Sequence, residues 1–362
     1  MPKNTLKLVI DARPLARNTG GMTRYLAKVL PQLIKCEEID ITLYTDQKMH
    51  LAYAAHYKNI NIRVVGNHKA AKLAWHLIVP TWLYKDRPDI FWSPRQHLPI
   101  LTPKSVTTIV TIHDLVWKTY PKTIPFLQRL SEKIFMAPSV KKADRIISIS
   151  ESTQALLNKY CPCAINKSTI ILHGLDIDTK QSINTKPRGN YILAVGTIEP
   201  RKNYVNLIKG FEEYAKTGQK RLTIVGKKGW LYDDIISTYN NSPVKHLIDV
   251  FENVNDQQLN DLYNKAGALI SPSLDEGYGL PALEATERGI PLLLSSIPVY
   301  KELYPHAFTF FEPEQPELIA QAIHSLDNYT ESYSVNLSNQ SSWSQCADNH
   351  INCFAQTLTN KK

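Results

Sequence analysis

Between Ser271 and Glu284 the chain reads Ser-Pro-Ser-Leu-Asp-Glu-Gly-Tyr-Gly-Leu-Pro-Ala-Leu-Glu. Two carboxylates, Glu276 and Glu284, stand with seven residues between them around a glycine-rich turn. An apolar run, Ala266 to Ile270, reads as a buried strand before the turn, and Pro281 opens a helix that Gly289 closes. The turn therefore lies at the carboxyl end of a strand and the amino end of a helix, where unpaired amides and the helix dipole favour anionic oxygen. Carboxylates beside such an end suit a ligand that carries phosphates and hydroxyls together, as a nucleotide-sugar does. Taken singly, the same residues also fit an ordinary strand-turn-helix, with Glu284 and Glu287 solvated on a helix face.

The run Glu276-Gly277-Tyr278-Gly279-Leu280-Pro281 through Glu284 resembles the signature of the retaining nucleotide-sugar glycosyltransferases of family 4: a Glu, seven residues and a Glu, with Gly-x-Gly-Leu-Pro inside. The resemblance implies an α/β protein of GT-B fold, two Rossmann-like domains facing across a cleft, of the mannosyltransferase-like bacterial cell-envelope branch. It implies that Glu276 hydrogen-bonds the donor sugar, that Glu284 takes the ribose hydroxyls, and that the amides of Gly277, Tyr278, Gly279 and Leu280 face the departing diphosphate.

A second element must bring positive charge to that diphosphate. Tyr191 to Val195 reads as a strand, followed by Gly196-Thr197-Ile198-Glu199-Pro200-Arg201-Lys202-Asn203 and a helix from about Tyr204 to Tyr214. A strand, a glycine and basic residues at a helix start form an anion site with added point charges. By resemblance Lys202, six residues after Gly196, holds the donor diphosphate. The family arginine expected directly after the glycine is replaced by Thr197, and Arg201 is the nearby guanidinium that could take over the second phosphate. Near Val254, Glu252 or Asn253 stands where relatives carry a glycine, so the resemblance does not fix the base.

The first half reads as strands at Leu6 to Ile10, Ile39 to Tyr44, Ile60 to Val65, Ile90 to Trp92, Thr107 to Ile112, Arg145 to Ser150 and Thr169 to Leu172, with helical stretches between them. This is the pattern of βαβ units and a mostly parallel sheet, whose ligand chemistry gathers at the carboxyl ends of strands. Thr107 to Ile112 ends in His113-Asp114, which is either a capping pair or part of a site. By resemblance His113 approaches the donor sugar as a catalytic or positioning group, and Asp114 orients it, contacts the acceptor or caps. Gly20 and Gly21 precede the helical spacing of Tyr25 to Ile34; they form a plain turn or, by resemblance, a loop contacting the donor phosphate or the acceptor.

These elements assign residues 1–178 to an acceptor-side domain, 179–190 to a polar linker and 191–340 to a nucleotide-sugar domain. A terminal helix over 341–362 is expected to return to the first domain.

The net charge of +9 divides unevenly. Residues 1–189 hold 28 Lys and Arg against 13 Asp and Glu, and residues 190–362 hold 14 against 20. A basic half implies an anionic surface or partner, either lipid headgroups or a phosphorylated acceptor. No helix-turn-helix, zinc-finger or RNA-binding signature accompanies the charge, which argues against nucleic acid. Between Asn67 and Lys85, Trp75, Trp82 and Tyr84 stand alongside Lys69, Lys72 and Lys85, as in an amphipathic element on an anionic membrane or a core-packing helix with a solvated basic face. Tyr120 to Lys142, with Phe126, Phe135 and Met136 among lysines, is a second such stretch. No apolar run is long enough for a membrane span and no secretory signal is evident. A cytoplasmic protein, peripheral at the inner membrane, is expected. Five cysteines, including Cys161-Pro-Cys163, lack zinc or redox spacing and read as reduced thiols.

The expected reaction moves a hexose, mannose from GDP-mannose first, to a glycan or lipid-linked acceptor hydroxyl. No Asp-x-Asp pair is placed to serve the donor, so no metal ion or other cofactor is expected. The alternatives are another GT-B chemistry, such as a nucleotide-sugar epimerase or glycoside phosphorylase, and an inactive nucleotide-sugar-binding scaffold.

Overall fold

The computed structural model describes residues 5–17, 20–66, 71–176, 182–185, 189–327, 329, 333–336 and 341–361. By its internal contacts the chain divides into two compact units, one of Met1–Leu115, Leu130–Gly174 and Ser341–Lys362, the other of Val116–Arg129 and Leu175–Gln340.

The first unit is built on seven strands: β1 (Leu6–Asp11), β2 (Ile39–Thr45), β3 (Asn61–Val64), β4 (Ile90–Ser93), β5 (Thr107–Ile112), β6 (Arg145–Ser148) and β7 (Ser168–Ile170). Their order in the sheet is β3-β2-β1-β4-β5-β6-β7, and every pairing is parallel. All residues of β4 and β5 are buried, as expected for central strands covered on both faces, and their β-branched and aromatic side chains explain the strand choice. Helix α1 (Gly21–Ile34) buries Tyr25, Leu26, Val29, Leu30 and Leu33 on one stripe.

The second unit repeats the plan with six parallel strands: β8 (Tyr191–Val195), β9 (Arg221–Val225), β10 (Ile248–Phe251), β11 (Ala268–Ser271), β12 (Leu292–Ser295) and β13 (Thr309–Phe311), in the order β10-β9-β8-β11-β12-β13. Each unit is thus a Rossmann-like α/β sheet. In each, the sequence order turns around between two neighbours, β1 and β4 in one, β8 and β11 in the other. At such a point the loops leave in opposite directions and open a crevice at the carboxyl ends.

The terminal segment folds as a helix, Trp343–Lys361, whose Trp343, Cys346, Ala347, Cys353 and Phe354 share one apolar core with Tyr25, Leu26 and Trp92 of the first unit. Among the described residues no helix is long and apolar enough to cross a membrane.

Trp75 is fully buried, with the Arg13 guanidinium 4.0 Å above its ring, and Trp82 packs edge-on against Tyr44 at 5.2 Å. Trp75 is therefore a core residue of the helix Ala71–Asp86, whereas Trp82 is half-buried beside Tyr44. Of the stretch expected to meet a membrane there, Tyr84 is exposed, and Lys69 and the Lys72 side chain lie outside the described residues. All five cysteines are free thiols.

Candidate functional site

The turning point of the second sheet assembles the charged residues singled out in the sequence. After β8 the chain passes through a short 3-10 turn, Pro200–Lys202, and Asn203 takes a left-handed conformation (φ 58°) before helix α2 (Tyr204–Tyr214). Asparagine tolerates that conformation better than most residues. Here its side-chain amide also donates to the carbonyls of Pro272 (3.1 Å) and Pro313 (2.6 Å). With the Leu274 amide donating to the Arg201 carbonyl at 2.9 Å, the loops after β8 and β11 are knitted together.

Glu276 sits in that knot. Its carboxylate accepts from Ser273 Oγ at 2.8 Å, from Arg201 Nη1 at 2.9 Å and from Lys202 Nζ. Arg201 in turn donates through Nε and Nη2 to Glu199 Oε1 at 3.1 and 2.8 Å, and through Nη1 to the Asp275 carbonyl at 2.7 Å. Two cations and two carboxylates thus neutralise one another within a site where the Glu276 side chain is only 8% exposed. Burial would raise the Glu276 pKa, but the charge of Lys202 and then that of Arg201 outweigh it and hold the carboxyl down at about 2. Glu199 moves the other way, because burial exceeds the pull of the same two cations.

Glycine is required at two places around this knot. A side chain at Gly196 would press on Lys202 Cε at 3.1 Å and on the Tyr204 hydroxyl at 3.2 Å, so the bare position leaves room for the lysine stem. Gly279 has φ +79°, and a Cβ there would collide with the Tyr300 ring. Tyr304 donates to the Tyr278 and Gly279 carbonyls at 3.1 Å each, and Tyr300 shares a 2.6 Å hydrogen bond with Ser271. Buried tyrosines therefore fix the Gly277–Leu280 turn from beneath. The helix beyond it, Leu280–Thr286, has Gly279 as N-cap and Pro281 in its first turn.

Glu284 lies on that short helix, half-buried, with its carbonyl accepting from Arg288 at 2.6 Å. The partners of the Glu276 carboxylate are Lys202, Arg201 and Ser273. The next acid along, Glu287, accepts from the Asp176 amide at 2.7 Å, and burial pushes its pKa up to about 7. Thr119 donates to Asp275, and Trp230 donates to the Thr123 carbonyl at 2.8 Å, which ties the stretch 116–129 to this unit.

His113 and Asp114 belong to the first unit, at the end of β5. His113 Nε2 lies 2.7 Å from the Pro94 carbonyl. A carbonyl can only accept, so Nε2 carries the proton and Nδ1 presents its lone pair. Burial holds the ring's pKa at about 4, and at neutral pH it is an acceptor without charge. Tyr25 packs edge-on against it at 5.2 Å. Asp114 is half-buried. Gly20 caps α1 with φ 87° and, like Gly21, is exposed; the two residues before Gly20 lie outside the described residues.

Sequence reasoning gave no role to Ser273, Asn203 or the supporting tyrosines, and quoted Glu199 only as part of a motif. Glu199 was findable, since it stands three residues before Lys202. Tyr300 was not, because its contact spans 29 residues.

Comparison with known proteins bears on the family and the fold. The family model "Glycosyltransferase Family 4" matches residues 19–179 and "Glycosyl transferases group 1" matches residues 176–339. A serotype-specific mannosyltransferase, WbdA of Escherichia coli, is 28% identical over 89% of this chain and 41% of its own length. The chain thus spans about two fifths of that relative. The O-antigen chain mannosyltransferase RfbU of Salmonella typhimurium is 22% identical over 90% of this chain and 93% of its own length. Among solved structures, Anabaena HepE in complex with UDP and glucose superposes with a TM-score of 0.73 at 13% identity, covering 97% of this chain and all of that one. The chain is built from glycosyltransferase domains and has the GT-B fold.

Proposed function

We propose that this chain transfers a hexose, mannose from GDP-mannose in the first instance, to a hydroxyl of a lipid-linked or lipopolysaccharide-type glycan. Transfer proceeds with retention at the anomeric carbon and without a metal ion. The observation that carries the reading is the convergence of Lys202, Arg201 and Glu276 where β8 and β11 part. Its support from relatives lies in the names of WbdA and RfbU, both called mannosyltransferases.

The chemistry follows from the charges. Breaking the bond between the anomeric carbon and the donor phosphate leaves charge on the diphosphate, and preorganised cations stabilise that charge most in the transition state. Lys202 and Arg201 are such cations, already held by Glu276 and Glu199 at fixed positions. When a diphosphate arrives, each cation can share its donors between carboxylate and phosphate, and the Glu276 carboxylate is then released in part to accept from a sugar hydroxyl. The acceptor oxygen forms the new bond to the anomeric carbon while its proton passes to the leaving phosphate. His113, neutral and with Nδ1 as acceptor, suits a sugar hydroxyl rather than a phosphate.

The acceptor is reached at an anionic membrane surface. In support, the helix Phe126–Lys142 leaves Phe126, Leu127, Leu130 and Ile134 exposed along one face, with Arg129 and Lys133 between them. This face replaces the tryptophans of the Ala71–Asp86 helix as the candidate contact.

The test is transfer of labelled mannose from GDP-mannose to a lipid-linked glycan by the purified chain, with the product's anomeric configuration read by NMR and EDTA present throughout. Formation of the α-linked product from the α-linked donor is expected. Donor consumption without an acceptor, or no transfer from any nucleotide-sugar, would overturn the reading.

A further inference from the structure

The first sheet has its own turning point, between β1 and β4, where Leu8 faces Ile90 and Ile10 faces Trp92. The chain leaves β1 through Asp11, Ala12 and Arg13 and leaves β4 through Ser93 to His97. Ser93 Oγ lies 2.9 Å from the carbonyls of both Arg95 and His97, which closes the second loop tightly.

Three arginines gather here, and two of them have carboxylates of their own. Arg13 clasps Asp11 through Nε at 2.9 Å and Nη2 at 2.6 Å. Arg17 donates to Asp46 at 2.8 Å. Arg95 is the third, and among the described residues its guanidinium has no hydrogen-bond or ion-pair partner. Burial, followed by the charge of Arg13, lowers it to about 10, which leaves it charged at neutral pH. The region also holds buried polar atoms without partners, Trp75 Nε1, His76 Nδ1 and Gln96 Oε1. His76, 8% exposed, feels the same charges: burial, then Arg13, His97 and Arg95, with Asp11 opposing, hold its pKa at about 4.

Two neutral pairs and one surplus guanidinium make a site short of one negative charge. A half-buried guanidinium with no acceptor of its own gains from a partner that water supplies only in part, and so does the unpaired Trp75 Nε1 donor near it. A neutral hydroxyl would satisfy donors without balancing the charge. A phosphoryl group does both, because several oxygens accept from the planar guanidinium fork at once.

We propose that the Arg95 cluster is an oxyanion subsite of the first unit that takes a phosphoryl group borne by the acceptor. Its acceptor assignment rests on the glycosyltransferase reading above, whereas the subsite itself does not.

The test uses the full chain with isotopically labelled histidine. Inorganic phosphate is titrated at constant ionic strength, and the His76 signal is followed from pH 3 to 7. Saturable phosphate binding should raise the His76 midpoint by about half a unit or more in the wild type, less in Arg95→Lys and not at all in Arg95→Gln. A wild-type midpoint that does not move, or moves equally in Arg95→Gln, would overturn the subsite. The local probe matters because phosphate will also meet Lys202 in the other unit. Kinetics then identify the bearer. The wild type should favour a diphosphate-linked glycan over the same glycan freed of phosphate, and Arg95→Gln should lower that preference in kcat/KM at least tenfold. An unchanged preference would remove the acceptor from the proposal. If the wild type transfers sugar to neither glycan, the glycosyltransferase reading fails while the His76 titration still decides the subsite.

Discussion

The two sheets turn around in the same way, yet they treat charge differently at the turning point. In the second unit Glu199, Arg201, Lys202 and Glu276 close on themselves, two cations against two carboxylates. In the first, Arg13 and Arg17 are matched by Asp11 and Asp46 while Arg95 is left over. A closed network holds its cations in place before any ligand comes and lets them be shared when one arrives. An open one waits for the missing charge. One fold therefore supplies a preorganised site and an incomplete one from the same strand geometry.

The comparison breaks most visibly at the closed network. Lys202→Ala and Glu276→Ala should each lower turnover roughly 100-fold or more, the scale for a strong transition-state contact, and near-normal transfer rates in either variant would remove these residues from the chemistry. Gly279→Ala comes next. Its positive φ and the Tyr300 ring beneath it should cost about 2 kcal/mol in denaturant unfolding of the full chain; a change under a few tenths would mean that the turn relaxes freely.

The units should also respond to pH in opposite senses. His113 and His350 are depressed to about 4 from 6.5 by burial, so the stability they contribute is present above pH 6.5 and is lost as pH falls through 4. Glu287 is raised to about 7 from 4.5, so its contribution is full below pH 4.5 and is lost as pH rises through 7. Amide exchange between pH 4.5 and 7, corrected for intrinsic rates, should show protection rising with pH in β1, β4 and β5 and falling around Leu280–Thr286, with Glu287→Gln abolishing the second trend. Parallel trends in both units would contradict the assignment. The smallest effect is expected from Tyr25→Phe, which removes the 2.6 Å hydrogen bond to His350 Nε2. A loss of about 1 kcal/mol in unfolding free energy is expected, and no loss would show that the buried imidazole finds another partner.

Much of this was legible because it is local in sequence. Tyr191–Val195 and Thr107–Ile112 are strands with the bounds their apolar runs suggest, and Glu276 and Lys202 lie in short motifs at strand ends. What stayed hidden depends on sheet order. Arg13 and Arg95 stand 82 residues apart and become neighbours only because β1 lies beside β4. Trp75 and Trp82 among lysines fit either an interfacial element or a core-packing helix, and only the fold decides: the Arg13 guanidinium covers the buried Trp75, and Trp82 packs half-buried against the Tyr44 ring. The strand Thr309–Phe311 escaped notice because three residues followed by Glu-Pro carry too little pattern.

The helix Trp343–Lys361 has a consequence in time. Its Trp343, Cys346 and Phe354 fill the core around Tyr25 and Trp92, and His350 meets Tyr25 from 325 positions further along the chain. During synthesis the first unit emerges early but cannot close its own core until the whole second unit has left the ribosome. Until then the aromatic face around Tyr25 is open to the cell, and closing so long a loop adds an entropic cost that the already folded second unit shortens. The half of the protein made first is finished last.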